Sequence, residues 1–137
     1  ELTLIDNCKM SKLIIDAAKD KIFLMIINND INYHMSFENS KNNFEKLTLL
    51  INEFLKMKNL DINKVKQIYV NRGPGSFAGI RNSLSIAKAL NVANNIDYYS
   101  FSFADFVGEN DIKFENIPAL CKKFKVKKNL INPIYLS

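Results

Sequence analysis

The sequence predicts an α/β protein built on a mixed β-sheet with helices, and three observations lead there. Short runs rich in branched and aromatic residues, Lys12–Asp16, Ile22–Ile27 and Ile31–Phe37, are separated only by the polar turns Lys19-Asp20-Lys21 and Asn28-Asn29-Asp30, the spacing of hairpins. After them, helical and strand-like segments alternate, as β-α-β crossovers require. Antiparallel hairpins followed by crossovers give a sheet of mixed direction.

Taken in order, Lys12–Asp16 is an apolar strand ending in an acid, and Ile22–Ile27 is the longest apolar run, far too short to span a bilayer. In the third strand His34 alternates with its neighbours as a strand residue does. Phe44 to Lys58 reads as a helix. At about 100° per residue, Phe44, Leu47, Leu50, Ile51, Phe54, Leu55 and Met57 fall within an arc of roughly 160°, with Leu49 and Leu60 outside it. Gln67–Val70 is a short strand, Phe77 to about Ala93 a second helix, and Tyr98–Phe101 a last strand.

Between that short strand and second helix lies Arg72-Gly73-Pro74-Gly75-Ser76-Phe77-Ala78-Gly79-Ile80-Arg81, which holds three of the four glycines in the chain. Such clustering marks backbone that adopts positive φ or accepts the close approach of another group. Pro74 stiffens the turn, and Ser76 stands where an N-cap hydroxyl meets the first helical amides. The unit is strand, glycine turn, helix. Gly73 and Gly75 are expected to leave amides facing an anion. The Lys-Ser/Thr pair of a phosphate-binding P-loop is missing, however, and the spacing departs from the dinucleotide motif. A structural tight turn, a nucleotide or anion contact and an interface role all stay open from the residues alone.

Composition is that of one compact domain, with 47% hydrophobic and 24% charged residues and enough length to bury a core without metal or disulfide. The net charge of +5 comes mostly from scattered lysines; only Lys122-Lys123-Phe124-Lys125-Val126-Lys127-Lys128 is a cluster, and it reads as a solvated face before it reads as a phosphate contact. Cys8 and Cys121 form no metal-binding or redox spacing with each other or with His34, so no metal is expected. Reducing cytosol is the expected compartment.

The run Arg72 to Arg81, followed by Ser83-Leu84-Ser85-Ile86-Ala87-Lys88-Ala89-Leu90, resembles the signature R-G-P-G-S-F-T-G-[ILV]-R of the bacterial TsaB (YeaZ) family and its small-residue helix. Met10-Ser11-Lys12-Leu13-Ile14-Ile15-Asp16-Ala17-Ala18 is similar to the family's opening strand, and Asn132-Pro133-Ile134-Tyr135-Leu136-Ser137 to its ending. Ala78 stands where the family has Thr, and Asn43 where a His is expected. The resemblance implies an actin/Hsp70-like ATPase (ribonuclease H-like) half-domain over residues 10–105. Residues 1–9 are then an extension of unknown origin, and 106–137 a reduced remnant of a second domain, most of which is expected to be missing.

The resemblance also implies function. Family members are noncatalytic partners of TsaD in making N6-threonylcarbamoyladenosine on tRNA, so the chain is expected to bind and activate a TsaD-like protein, with ATP on that partner and a TsaE-like ATPase as a further component. Alone it is expected to form a homodimer in the cytoplasm, with no membrane contact and only indirect or weak contact to tRNA. The signature residues Arg72, Gly73, Pro74, Gly75, Ser76, Phe77, Gly79 and Arg81 are the expected turn and nucleotide or partner contact. Leu47, Leu49, Leu50, Phe54, Ala78, Gly79, Asn82, Ser83 and Ile86 are the expected partner interface, because small residues on the second helix allow close approach. No catalytic residue is assigned. Asp16 reads as a strand-end acid bonded to nearby amides, against the alternative of a stand-alone nucleotide-dependent transferase or ATPase using Asp16 and the turn. A homo-oligomeric scaffold that has lost the ancestral role is the third reading.

Overall fold

A computed structural model describes residues 11–29 and 31–135. The expectations about residues 1–9, Met10, Cys8, Asp30 and the Leu136-Ser137 ending lie outside the described residues. Five strands form one sheet: β1 (Ser11–Asp16), β2 (Lys21–Asn28), β3 (Ile31–Glu38), β4 (Val65–Asn71) and β5 (Asp97–Phe101), in the order β3-β2-β1-β4-β5. β1, β2 and β3 pair antiparallel, while β1, β4 and β5 run parallel. The mixed sheet expected from hairpins and crossovers is the one observed.

Strand β1 explains why the sheet has two cores. Leu13 and Ile15 point to one face and Ile14 to the other, and all three are fully buried. On the first face the strands pack against helices α1 (Lys41–Glu45), α2 (Leu47–Met57) and α3 (Phe77–Asn94), through Leu47, Ile51, Phe54, Leu55, Ile80, Leu84 and Ala87. On the second, Ile14, Met25, Tyr69 and Phe101 are covered by Phe106, Ile117, Leu120 and Cys121, the last three from helix α4 (Ile117–Lys123). Residues 103–126 thus form the second layer over the same sheet, and residues 128–135 run beside β5 to the turn after β4.

The helix expected over Phe44–Lys58 is two helices. Ser40 caps α1, its Oγ accepting from the Asn43 amide at 3.2 Å. Lys46 then leaves helical geometry at φ −105°, ψ 15°, its N–H shared between the Asn42 and Asn43 carbonyls. The break shifts the helical phase, so Phe44 belongs to a different helix from the other stripe residues. Met57, at the far end of α2, is 58% exposed, a correction to the single-arc reading. Helix α3 follows expectation, capped by Ser76 and ending at Asn95 in the left-handed region.

Burial on the second face has a titration consequence. It is the main reason the Cys121 thiol is pushed from its ordinary 9.0 up to about 12, with the nearby Asp105 a smaller cause. The Tyr69 phenol is raised as well, first by burial and then by Tyr99 and Cys121. The folded chain therefore keeps the Cys121 proton at a pH where the unfolded chain releases it. This contribution to stability is complete below about pH 9 and is lost as the pH rises toward 12. Melting temperatures across that window should fall, and Cys121→Ala should flatten the fall.

Candidate signature-turn site

The glycine turn lies at the C-terminal edge of the parallel strands, where Asp16 ends β1 and Asn71 ends β4. Asp16 is 2% exposed, and both its carboxylate oxygens are engaged: Oδ1 accepts from the Ala18 amide at 3.0 Å and Oδ2 from Asn71 Nδ2 at 3.0 Å. Asn71 Oδ1 in turn accepts from the Gly73 amide at 2.8 Å. One buried chain of hydrogen bonds thus ties the β1 end to the turn, and the reading of Asp16 as a strand-end acid bonded to amides agrees with it.

Each signature glycine stands where a methyl group would collide with the chain's own backbone. A Cβ on Gly73 would overlap the Ile134 carbonyl, one on Gly75 the Ala18 carbonyl, and one on Gly79 the Ala17 carbonyl. Gly73 also has φ +112°, a conformation that side chains disfavour. The Gly73–Pro74 peptide is cis, and Pro74 is exposed. The expectation of an open amide at Gly73 is corrected, while the amide held by Ser76 is the cap the sequence leads one to expect. The Gly73 amide goes to Asn71, the Ser76 amide donates to the Ala18 carbonyl at 2.9 Å, and the Gly79 amide donates to Ser76 Oγ at 3.2 Å.

Arg72 closes the other side. Its guanidinium holds Asp105 through Nη2 at 2.7 Å and Nε at 3.3 Å, and its Nη1 donates to the Asn132 carbonyl at 3.0 Å. The Ile134 amide donates to the Arg72 carbonyl at 2.7 Å, and Tyr135 tilts against Phe77 with ring centroids 4.6 Å apart. Arg72 and Asp105 are both mostly buried. Arg72→Ala should therefore cost about 2 kcal/mol, because it leaves Asp105 Oδ1 and the Asn132 carbonyl without their Arg72 donors. Hydrogen exchange at Ile134 should accelerate in that variant. Arg81 projects into solvent.

The expected interface set divides. Leu49, at 52% exposure, and Ala78 face solvent, and Asn82 and Ile86 are half-buried. Leu47, Leu50, Phe54, Gly79 and Ser83 are instead buried in the chain's own core, a correction to their assignment as partner-facing. The physical reason is that α3 uses its small-residue face to approach the β1–β2 connection, and Ser83 Oγ bonds back to the Gly79 carbonyl at 2.8 Å. Between α1–α2 and α3 an open groove of about 330 Å³ remains, lined by Thr48, Asn82, Ser85 and Ile86 among others. Asn71 and Asp105, which hold the turn together, carried no sequence signal beyond their places next to the glycine run and at the end of the last strand's following turn.

Among the described residues no helix is long and apolar enough to cross a membrane, and no three His, Cys, Asp or Glu side chains gather as a metal site. The Lys122–Lys128 run lies on α4 and the turn after it, where Lys123 pairs with Glu109 at 2.7 Å and Lys128 with Asp97 at 3.5 Å.

A five-stranded mixed sheet with this strand order, closed by a glycine turn at its carboxyl edge, is an actin-like ATPase-type domain. Residues 21–121 match the model of the family described as TsaD: tRNA N6-adenosine threonylcarbamoyltransferase, and the chain belongs to that family as a TsaB/YeaZ-like protein. The tRNA threonylcarbamoyladenosine biosynthesis protein TsaB of Buchnera aphidicola subsp. Baizongia pistaciae (strain Bp) is 26% identical over 86 residues, which cover 63% of this chain and 39% of that protein. The structure of YeaZ from Pseudomonas aeruginosa superposes with a TM-score of 0.63 at 18% identity, over 70% of this chain and 46% of that one. A second Pseudomonas aeruginosa structure, of an uncharacterized protein with similarity to peptidase YEAZ, gives the same score and identity over 70% and 45%. The chain therefore spans less than half the length of each of these relatives.

Proposed function

We propose that the chain is a noncatalytic TsaB-like subunit that binds and activates a TsaD-like enzyme in forming N6-threonylcarbamoyladenosine on tRNA. The observation that carries this reading is the engagement of Asp16 and the turn amides within the fold. A carboxylate with both oxygens hydrogen-bonded in the interior is poorly placed to act as a general base. The name of the curated relative supplies the pathway. The partner surface is the groove between α1–α2 and α3 with its exposed border of Leu49, Ala78 and Asn82. ATP is bound by the partner, a TsaE-like ATPase joins the assembly, and all of it works in the cytoplasm. Without the partner, the same face pairs two copies of the chain.

Co-expression with the TsaD homologue of the same organism tests the proposal. The wild-type chain should co-purify with it, and Leu49→Lys should weaken the complex about tenfold or more, because a lysine would be buried without a counter-charge only in the assembly. The stability of the free variant should change by no more than about 0.5 kcal/mol, as at other exposed positions. ATP turnover by the purified chain that disappears in Asp16→Asn would overturn the noncatalytic reading in favour of a stand-alone ATPase.

A further inference from the structure

The far end of the sheet from the signature turn holds a cavity of about 760 Å³, between α4 and the first residues of β1 and β4. Its size falls within the roughly 300–1,000 Å³ typical of small-molecule sites. The sheet places two kinds of chemistry there. Tyr69 and Tyr99 are register partners on β4 and β5, and their rings stack with centroids 5.0 Å apart and planes at 12°. Lys12 and Gln67 are register partners on β1 and β4, next along the strand direction, and they line the same cavity. Lys122 and Lys125 join from α4 and the turn after it, facing a single acid in the lining, Glu115.

We propose that this cavity binds a small ligand joining a flat ring to an anionic group, of the phosphorylated-nucleoside kind. Half-buried Tyr99, backed by the buried Tyr69 ring, offers a rigid aromatic surface on which a flat heterocycle stacks, an interaction that is tolerant of which base is bound. The three lysines give the cavity a positive field that suits a phosphate. Their neighbours Lys123 and Lys128 are ion-paired, whereas no ion pair among the described residues involves Lys12, Lys122 or Lys125. Covering these lysines with an apolar protein segment would take three ammonium groups out of water, so a charged ligand fits the cavity better than a packed apolar helix does. Gln67 accepts from the Tyr69 hydroxyl at 2.9 Å through Oε1, which leaves its amide Nε2 as a donor. Cys121 in the lining keeps its proton at neutral pH, so it adds no negative charge to repel the phosphate and no thiolate for a covalent step.

Nuclear magnetic resonance titration of the chain with AMP, adenosine and ribose 5-phosphate tests this. AMP should give saturable shifts at the amides of Lys12, Gln67, Tyr99 and Lys125, with an affinity about tenfold or more above either fragment. The double variant Lys122→Glu, Lys125→Glu alters two exposed side chains and should fold normally. It should lower AMP affinity about tenfold while leaving adenosine binding unchanged. Tyr99→Leu should weaken AMP and adenosine together and leave ribose 5-phosphate unaffected. Absence of saturable shifts at low-millimolar AMP, AMP affinity unchanged by the double charge reversal, or shifts centred on Arg72–Arg81 would each overturn the proposal.

Discussion

Gly79→Ala is expected to destabilise the chain by about 3 kcal/mol or more, lowering its melting temperature by about 10 °C. In an ordinary helix the same change stabilises, since alanine is the better helix former by about 1 kcal/mol. Here the added methyl meets backbone. It would overlap the Ala17 carbonyl and come within 3.1 Å of Phe44 Cε1, so α3 must move away from the β1–β2 connection, opening contacts that bury Ile80, Leu84 and Ala87. Gly108→Ala is the control, because Gly108 has φ +88° but open space around its Cα. It should cost only about 1 kcal/mol, from backbone strain alone. Equal losses in the two variants, read by urea denaturation, would show that the collision at Gly79 is relieved by a small shift and does not hold α3 in place.

Asn71→Ala is expected to have a comparable effect, about 3 kcal/mol. Asn71 is 1% exposed and uses both ends of its amide, donating to Asp16 Oδ2 and accepting from the Gly73 N–H. Alanine removes both bonds at once, leaving a buried carboxylate oxygen and a buried amide without partners, and either omission is costly in the interior. The loss should appear as a lower urea midpoint with an unchanged slope. Amide exchange should quicken at Gly73 and Ala18 before it quickens in the helices.

The strands were legible in the sequence because Leu13, Ile14, Ile15, Ile22, Ile26, Ile68 and Val70 make dense branched runs bounded by polar turns. Ser76 as the cap of α3 and the special backbone of the glycine turn were legible for the same local reasons. What those glycines face was not. Glycine reports that something comes close, and nothing in its spacing says whether that is a phosphate, a partner or the chain's own Ala17, Ala18 and Ile134 carbonyls. The break at Lys46 was hidden because neither Gly nor Pro marks it. The second layer was hidden because Phe103, Phe106, Phe114 and Phe124 sit in short turns, and Ile117, Leu120 and Cys121 in a seven-residue helix, all too brief for any period to emerge.

The hold of residues 132–135 on the signature turn also sets an order of events. Arg72 reaches the Asn132 carbonyl across 60 positions of sequence, and its own carbonyl awaits the Ile134 amide. As the chain leaves the ribosome, β1, β2 and β3 can pair early from adjacent hairpins, but the turn has no lid until that later stretch has emerged. Through that interval the guanidinium of Arg72 lacks one of its acceptors and the turn stays open to water and to other proteins. The motif by which the family is recognised therefore matures only after a stretch some sixty residues further along the chain has joined it.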